Sequence, residues 1–294
     1  NIFYSNYRRK CYTNKKVNIK LMISYIGGKS RMSNWICNFI PENIETYVEV
    51  FGGAFWVYIN GDIHEKPKLK KIIYNDFNRY MVNFFECCRT PEEFYRYMIN
   101  LKAQDEKIFY KFQKEIFNNK DISKIELGDF NFGSKYSYIM TQVFSGINAE
   151  NAKFIDLKGK YKSKFDSFRD RLVNPKFTRK LKKISKCENL SYNQIIKKYD
   201  SATTYFYVDP PYWKTEDYYS LHDFDVQDHR NLCQQLSDIK GKFSLSYYDF
   251  DLLNEWLPRE KFIWESREFV KAASASKGKI QNKGTEILVM NYKK

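Results

Sequence analysis

Apolar positions along the chain follow two rhythms, one of strands and one of helices, and their alternation is clear at both ends. Met32, Trp35, Ile36, Phe39 and Ile40 fall at helical spacing just after Gly27-Gly28, and residues 47–51 then read as a buried strand that stops at Gly52-Gly53. A second apolar run, residues 71–74, ends at Asn75-Asp76, and Met81, Phe84, Phe85 and Cys88 continue as one helix face. Two βα units in succession predict a doubly wound, mostly parallel α/β sheet. From about residue 91 to 200 the rhythm is lost in a stretch rich in Lys, Phe, Tyr and Asn, which reads as an inserted region. The sheet pattern resumes at residues 203–208, followed by a helix with Leu232, Leu236 and Ile239 on one face and a strand at 242–247. Residues 262–268 and 285–291 predict an antiparallel edge, joined by a Lys-, Ser- and Gly-rich loop at 274–284. The expected organisation is a basic arm at 1–21, a first part of one domain at 22–90, the insertion at 91–200, and the second part of the domain at 201–294.

Charge narrows the choice of partner. Among 294 residues, 50 Lys and Arg oppose 35 Asp and Glu, a formal net charge of +15, which favours a polyanion such as nucleic acid. The arm before Met22 contributes Arg8, Arg9, Lys10, Lys15, Lys16 and Lys20 without periodicity and reads as dispensable. The 24 Tyr, 24 Phe and 5 Trp serve mostly as core, but where rings alternate with basic residues they also suit stacking on bases. Six cysteines without a CxxC pair, and three histidines far from ligand spacing, predict neither a metal site nor a disulfide framework. With no apolar run near the ~18 residues of a membrane span, the expectation is a cytoplasmic protein with no membrane partner. The oligomeric state is left open.

The segment with the most chemical content is Tyr205-Phe206-Tyr207-Val208-Asp209-Pro210-Pro211-Tyr212, an apolar strand running into an acid, two prolines and an aromatic ring. Ligands of open α/β sheets bind beyond the carboxyl ends of the strands, so these groups should project into a site. The prolines fix φ and lack N–H donors, which stiffens the turn and leaves carbonyls free to accept. An exocyclic amine offers two donors. The Asp209 carboxylate and the Pro210 carbonyl supply an acceptor for each, and the Tyr212 ring supplies a stacking face. Read alone, an Asp-Pro-Pro-Tyr is more often a turn than a site; its place after a strand, downstream of two glycine turns and an acid ending the second strand, reverses that reading.

This order resembles the DPPY motif of amino-methyltransferases, and everything after Met22 is similar to the Dam-type, alpha-class DNA N6-adenine methyltransferases. The resemblance implies the class I methyltransferase fold, S-adenosylmethionine as cofactor, double-stranded DNA as partner, and Asp209, Pro210, Pro211 and Tyr212 as catalytic residues. Tyr25-Ile26-Gly27-Gly28-Lys29 looks like the family's first cofactor motif, which gives Tyr25, Gly28 and Lys29 cofactor-binding roles. Glu49-Val50-Phe51-Gly52-Gly53-Ala54 resembles its acidic glycine loop and adds Glu49, Phe51 and Gly53; here Phe55 departs from the pattern, standing where the family usually has a second glycine. Asp76 matches the acid that binds the cofactor ribose, and Asp209 itself also borders the cofactor. Residues 219–224 and 284–292 are similar to the loop after DPPY and to the last strand.

The roughly 160 residues between the cofactor motifs and DPPY hold, in this family, a largely helical target-recognition region. There Asn148, within residues 142–148, and the run Lys158, Lys160, Lys162 and Lys164 are the expected DNA-binding residues. His222 and His229 are expected to be structural or surface groups, since methyl transfer to an amine needs no histidine base. The implied reaction is methyl transfer to the N6 amine of an adenine flipped out of the duplex. An amino-methyltransferase acting on cytosine or RNA, and an inactive DNA-binding protein of the same fold, stand as alternatives. The recognised DNA site and the biological role are not legible at this level.

Overall fold

A computed structural model describes residues 23, 29–118, 121–143, 149–157, 159, 162–213, 224–270 and 283–293. Seven strands form one sheet: β1 (Thr46–Glu49), β2 (Lys71–Asn75), β3 (Lys186–Glu188), β4 (Thr204–Val208), β5 (Lys242–Tyr247), β6 (Ile263–Val270) and β7 (Lys283–Met290), in the order β3-β2-β1-β4-β5-β7-β6. The first five are parallel, and β7 inserts antiparallel between β5 and β6. Sequence periodicity placed the two last strands at an antiparallel edge but did not show that β7 lies inside β6.

Strand β4 lies in the middle of this sheet and is buried along its whole length, which is why it reads as a continuous apolar run rather than an alternating one. Side chains still alternate between faces. Tyr47, Tyr205 and Tyr207 enter one core, while Val48, Phe206 and Val208 enter the other. Register pairs Val48 with Phe206 and Glu49 with Tyr207, bringing the ends of β1 and β4 together on one rim of the sheet.

Helices α1 (Ser33–Cys37) and α3 (Arg79–Cys88) fall within the stretches where the periodicity predicts them, and α2 (Trp56–Asn60), which it did not predict, follows the Gly52-Gly53 loop. Between α3 and β3 come α4 (Pro91–Met98), α5 (Glu106–Phe117), α6 (Phe130–Gln142), α7 (Lys164–Leu172) and α8 (Pro175–Lys183), so the described residues between α3 and β3 are largely helical. It shares the first core with α3: Phe94, Phe109, Tyr138, Phe165 and Phe168 are all buried there. Asn83 of α3 ties the entry of α6 to the domain, accepting from the Gly128 and Asp129 N–H groups at 2.8 and 3.1 Å and donating to the Asp129 carbonyl at 3.2 Å. Asp129 in turn caps α6 through the Asn131 and Phe132 N–H groups.

The sheet resumes earlier than residue 200. β3 pairs parallel with β2, and α9 (Tyr192–Tyr199) buries Ile195 and Ile196 in the second core. Their short, Lys-rich pattern hid them, because a three-residue edge strand carries too few positions to show a period. Helices α10 (Val226–Asp238) and α11 (Asp251–Trp256) complete that face.

Candidate active site

The turn after β4 carries Asp209-Pro210-Pro211-Tyr212 on the rim where the parallel strands end. Both prolines are buried, and the Asp209 side chain remains 17% exposed. Its Oδ1 lies 2.9 Å from Nζ of Lys29, and the same ammonium lies 3.5 Å from Oε1 of Glu286 and 4.4 Å from the centre of the Tyr212 ring. The Tyr212 hydroxyl donates to the Glu286 carboxylate. Tyr248 packs edge-on against the Tyr212 ring at 4.5 Å, with Tyr247 at 5.5 Å. Burial pushes the Asp209 carboxyl up to about 6; the Lys29 ammonium pulls it down, and the neighbouring Glu286 pushes it up again. An acid of that kind is ionised at neutral pH yet poorly solvated, and so is well disposed to accept hydrogen bonds from a donor entering the cleft.

Beside this turn, the end of β1 and the end of β2 build a tight loop. The Gly52 N–H donates to the Asn75 carbonyl at 2.7 Å, and a Cβ on Gly52 would meet Cε2 of Tyr74 at 2.3 Å and that carbonyl at 2.8 Å, so no larger residue fits. Gly53 has φ of 46°, a left-handed conformation that glycine adopts without steric cost. Its N–H donates to Oδ2 of Asp76 at 2.7 Å, and the Tyr74 hydroxyl donates to its carbonyl at 2.9 Å. Oδ1 of Asp76 accepts from the Asn78 N–H at 2.7 Å. A carboxylate at the end of a strand in such a sheet is suited to accept ribose hydroxyls. The half-buried Phe51 ring forms an aromatic wall with Tyr192 at 6.2 Å and Phe224 at 5.8 Å. A loop too tight for a Cβ, an acid at the end of β2 and an apolar wall fit a nucleoside-bearing cofactor.

Phe55 explains its own departure from the glycine pattern. It too is left-handed, with φ of 58° and ψ of 34°, which costs a non-glycine residue about 1–2 kcal/mol. Its ring is fully buried, stacked on Tyr58 at 4.6 Å and edge-on to Tyr74 and Phe85 at 5.0 and 5.5 Å. Burying such a ring contributes about 1.5–3 kcal/mol and offsets the backbone cost. The loop keeps the glycine-like geometry with a phenylalanine in it.

Glu49 is placed at the site's inner wall. Its Oε1 accepts from the Tyr47 hydroxyl at 2.6 Å and from the Tyr58 N–H in the first turn of α2 at 3.0 Å, so the carboxyl anchors the helix that follows the glycine loop. Burial raises its pKa to about 8. The carboxyl holds the loop's shape from within.

Of the other sequence-predicted residues, Tyr25, Gly28, Asn148, Lys158 and Lys160 lie outside the described residues, as does His222. Lys162 is exposed and ion-paired with Asp170, and Lys164 opens α7 on the surface next to the capping Ser163. His229 is fully buried, its Nδ1 hydrogen-bonded to the Tyr247 hydroxyl and its ring edge-on to Phe224, a structural role as expected. Among the described residues, no group of three His, Cys, Asp or Glu side chains is arranged to hold a metal ion, and no helix is long and apolar enough to cross a membrane. Glu286 was missed. The signal was present: a lone acid opening the apolar run Ile287 to Met290 of a strand buried on both faces.

A sheet of this strand order, with a glycine loop after β1 and an acid-proline-proline-tyrosine turn after β4, defines the class I methyltransferase fold. The model of the D12 class of N6 adenine-specific DNA methyltransferases matches residues 25–270, and the chain belongs to that family. Among curated relatives, type II methyltransferase M1.LlaDCHI of Lactococcus lactis subsp. cremoris is 25% identical over 297 residues, covering 94% of this chain and 97% of the relative. Type II methyltransferase M.MjaIII of Methanocaldococcus jannaschii is 25% identical, over 93% of this chain and 99% of its own length. Modification methylase StsI of Streptococcus sanguinis is 27% identical over 212 residues; the match covers 69% of this chain but spans only 30% of the relative.

Proposed function

We propose that this protein transfers a methyl group to the N6 amine of an adenine flipped out of double-stranded DNA, with S-adenosylmethionine as donor. The observation that carries the reading is the juxtaposition of a poorly solvated carboxylate, Asp209, and the Tyr212 ring at the end of β4 with the Gly52-Gly53 loop and Asp76 beside them. When bound, the cofactor supplies an electrophilic methyl group. Asp76 would hold its ribose, Gly53 and Phe51 its close approach and its base, and Lys29, Tyr25 and Gly28 its remaining edge. Asp209 and the Pro210 carbonyl accept one N–H each from the target amine. That leaves the nitrogen lone pair free to attack, the negative Asp209 favours the positive charge that builds on nitrogen, and the amine gives up one proton to solvent once the methyl group is in place. Tyr212 provides a face for the base, and that contact together with two hydrogen bonds offsets the few kcal/mol that flipping costs.

The helical region between α3 and β3 is the proposed target-recognition region, with Asn148 and the lysines at 158, 160, 162 and 164 as its proposed DNA-binding residues. That the relatives are modification methylases and type II methyltransferases supports a role in marking DNA at a short site. The test is to incubate the purified protein with unmethylated DNA and isotopically labelled cofactor, digest to nucleosides and read the label by mass spectrometry. Label in N6-methyladenine is expected, and Asp209→Ala should cut turnover by about 10²–10³, the scale of losing one preorganised electrostatic group. Label in cytosine, label only with RNA, or near-normal turnover by the mutant overturns the reading.

A further inference from the structure

Glu286 occupies a place in the site that a strand read in isolation does not reveal. Because β7 runs antiparallel and pairs Ile287 with Tyr247, its early residues lie at the same rim where β4 and β5 end. Glu286 is 2% exposed there. A buried carboxylate is costly unless charged or hydrogen-bonded partners satisfy it, and Glu286 has both: the Tyr212 hydroxyl donates to it, and the Lys29 ammonium is 3.5 Å away.

Lys29 is also where a substrate must go. Its ammonium sits 2.9 Å from the Asp209 oxygen and over the Tyr212 ring, the two surfaces that the proposed reaction offers to the adenine amine and the adenine face. While the ammonium stays in both places it competes with the base for each of them. Glu286 already lies within ion-pair distance of that ammonium and shares the Tyr212 side chain with it. We propose that Glu286 is a positioning residue for base capture: it draws the Lys29 ammonium off Asp209 when the target base enters, and its bond to the Tyr212 hydroxyl keeps the ring in place as the ammonium moves. The inference rests on the reading of Asp209 as the acceptor for the target amine.

The experiment is a double-mutant cycle of Glu286→Gln and Lys29→Met, read in single-turnover methyl transfer at saturating cofactor. Cofactor affinity is measured separately by calorimetry. The glutamine still accepts the Tyr212 hydroxyl but no longer offers the ammonium a second negative charge. Glu286→Gln is expected to slow transfer by about tenfold to a hundredfold, the scale of coupling within one shared network, with cofactor affinity unchanged. With Lys29→Met in the background, the same substitution should cost much less, because no ammonium remains to be drawn away. Once the wild-type site is mapped, a duplex carrying 2-aminopurine at the target adenine supplies a second readout. Its fluorescence rise on binding should be smaller for Glu286→Gln than for the wild type, which a merely structural role would not produce in a stably folded variant. If Glu286→Gln does not fold, the near-isosteric Glu286→Met, which also removes the charge, replaces it in both measurements. A wild-type rate and fluorescence for Glu286→Gln, or an equal loss in both Lys29 backgrounds, overturns the inference and leaves the parent reading intact. Absence of any methyl transfer by the wild type removes the parent reading, and the role of Glu286 with it.

Discussion

At Asp209 the local environment sets both a chemical capacity and a cost. Its carboxyl titrates near 6 rather than near the ordinary 3.8 because burial disfavours the charge, with Lys29 opposing and Glu286 adding to the effect. A carboxyl whose folded pKa is raised destabilises the fold once ionised. Relative to a solvated acid, stability is lost as pH rises from about 3.8 through about 6, and the loss above that window is about 3 kcal/mol. Asp209→Asn is therefore expected to melt at or above the wild-type temperature at neutral pH while losing methyl transfer, which differential scanning calorimetry and the label assay check together. In the wild type, kcat/KM should fall about tenfold per pH unit below about 6, as the acceptor is protonated. Phe55 offers a contrasting residue: Phe55→Gly relieves its left-handed backbone but empties an aromatic site between Tyr58, Tyr74 and Phe85. The cavity should dominate, with a net loss of about 2–4 kcal/mol in urea denaturation despite the match to the family's usual glycine.

At the scale of elements, the end of β1 and the start of α2 are coupled through one carboxyl. Glu49 accepts the Tyr58 N–H and the Tyr47 hydroxyl, and because burial raises its pKa to about 8 it is mostly protonated at neutral pH. Glu49→Gln, which keeps an acceptor oxygen in the same place, should alter stability by no more than about 1 kcal/mol. Glu49→Ala leaves two buried donors unpaired and should cost about 2–4 kcal/mol in the same denaturation measurement. The elements themselves were largely legible: strands at 71–74, 203–208 and 242–247 appear at or within one residue of their predicted bounds, because long apolar runs bounded by turn residues record burial directly. β3 and α9 were not, since a short edge strand among lysines has no period to read. Asp209, Tyr212, Asp76 and Gly53 were legible as chemistry because each ends a strand or tightens a turn. Glu49 was legible as an acid of the loop, but its inward orientation was not.

For the whole molecule, the net charge of +15 belongs with a polyanionic partner. Double-stranded DNA binding measured by fluorescence anisotropy across a salt series should weaken with a log–log slope of about 0.9 per phosphate neutralised, and a flat response would argue against a basic DNA-facing surface.

The sequence by itself determined the central strands and the helix after β2, pointed to the ends of β1, β2 and β4 as the candidate site, and favoured an anionic partner, because burial period, turn residues and net charge are properties of local composition. The tertiary structure alone decided which distant segments meet. The insertion of β7 between β5 and β6, the contact of Lys29 with Asp209, and the contact of Tyr212 with Glu286 join residues far apart in the chain. A hydrophobic period records that a face is buried but not which neighbour buries it, and in this protein the neighbours complete the site.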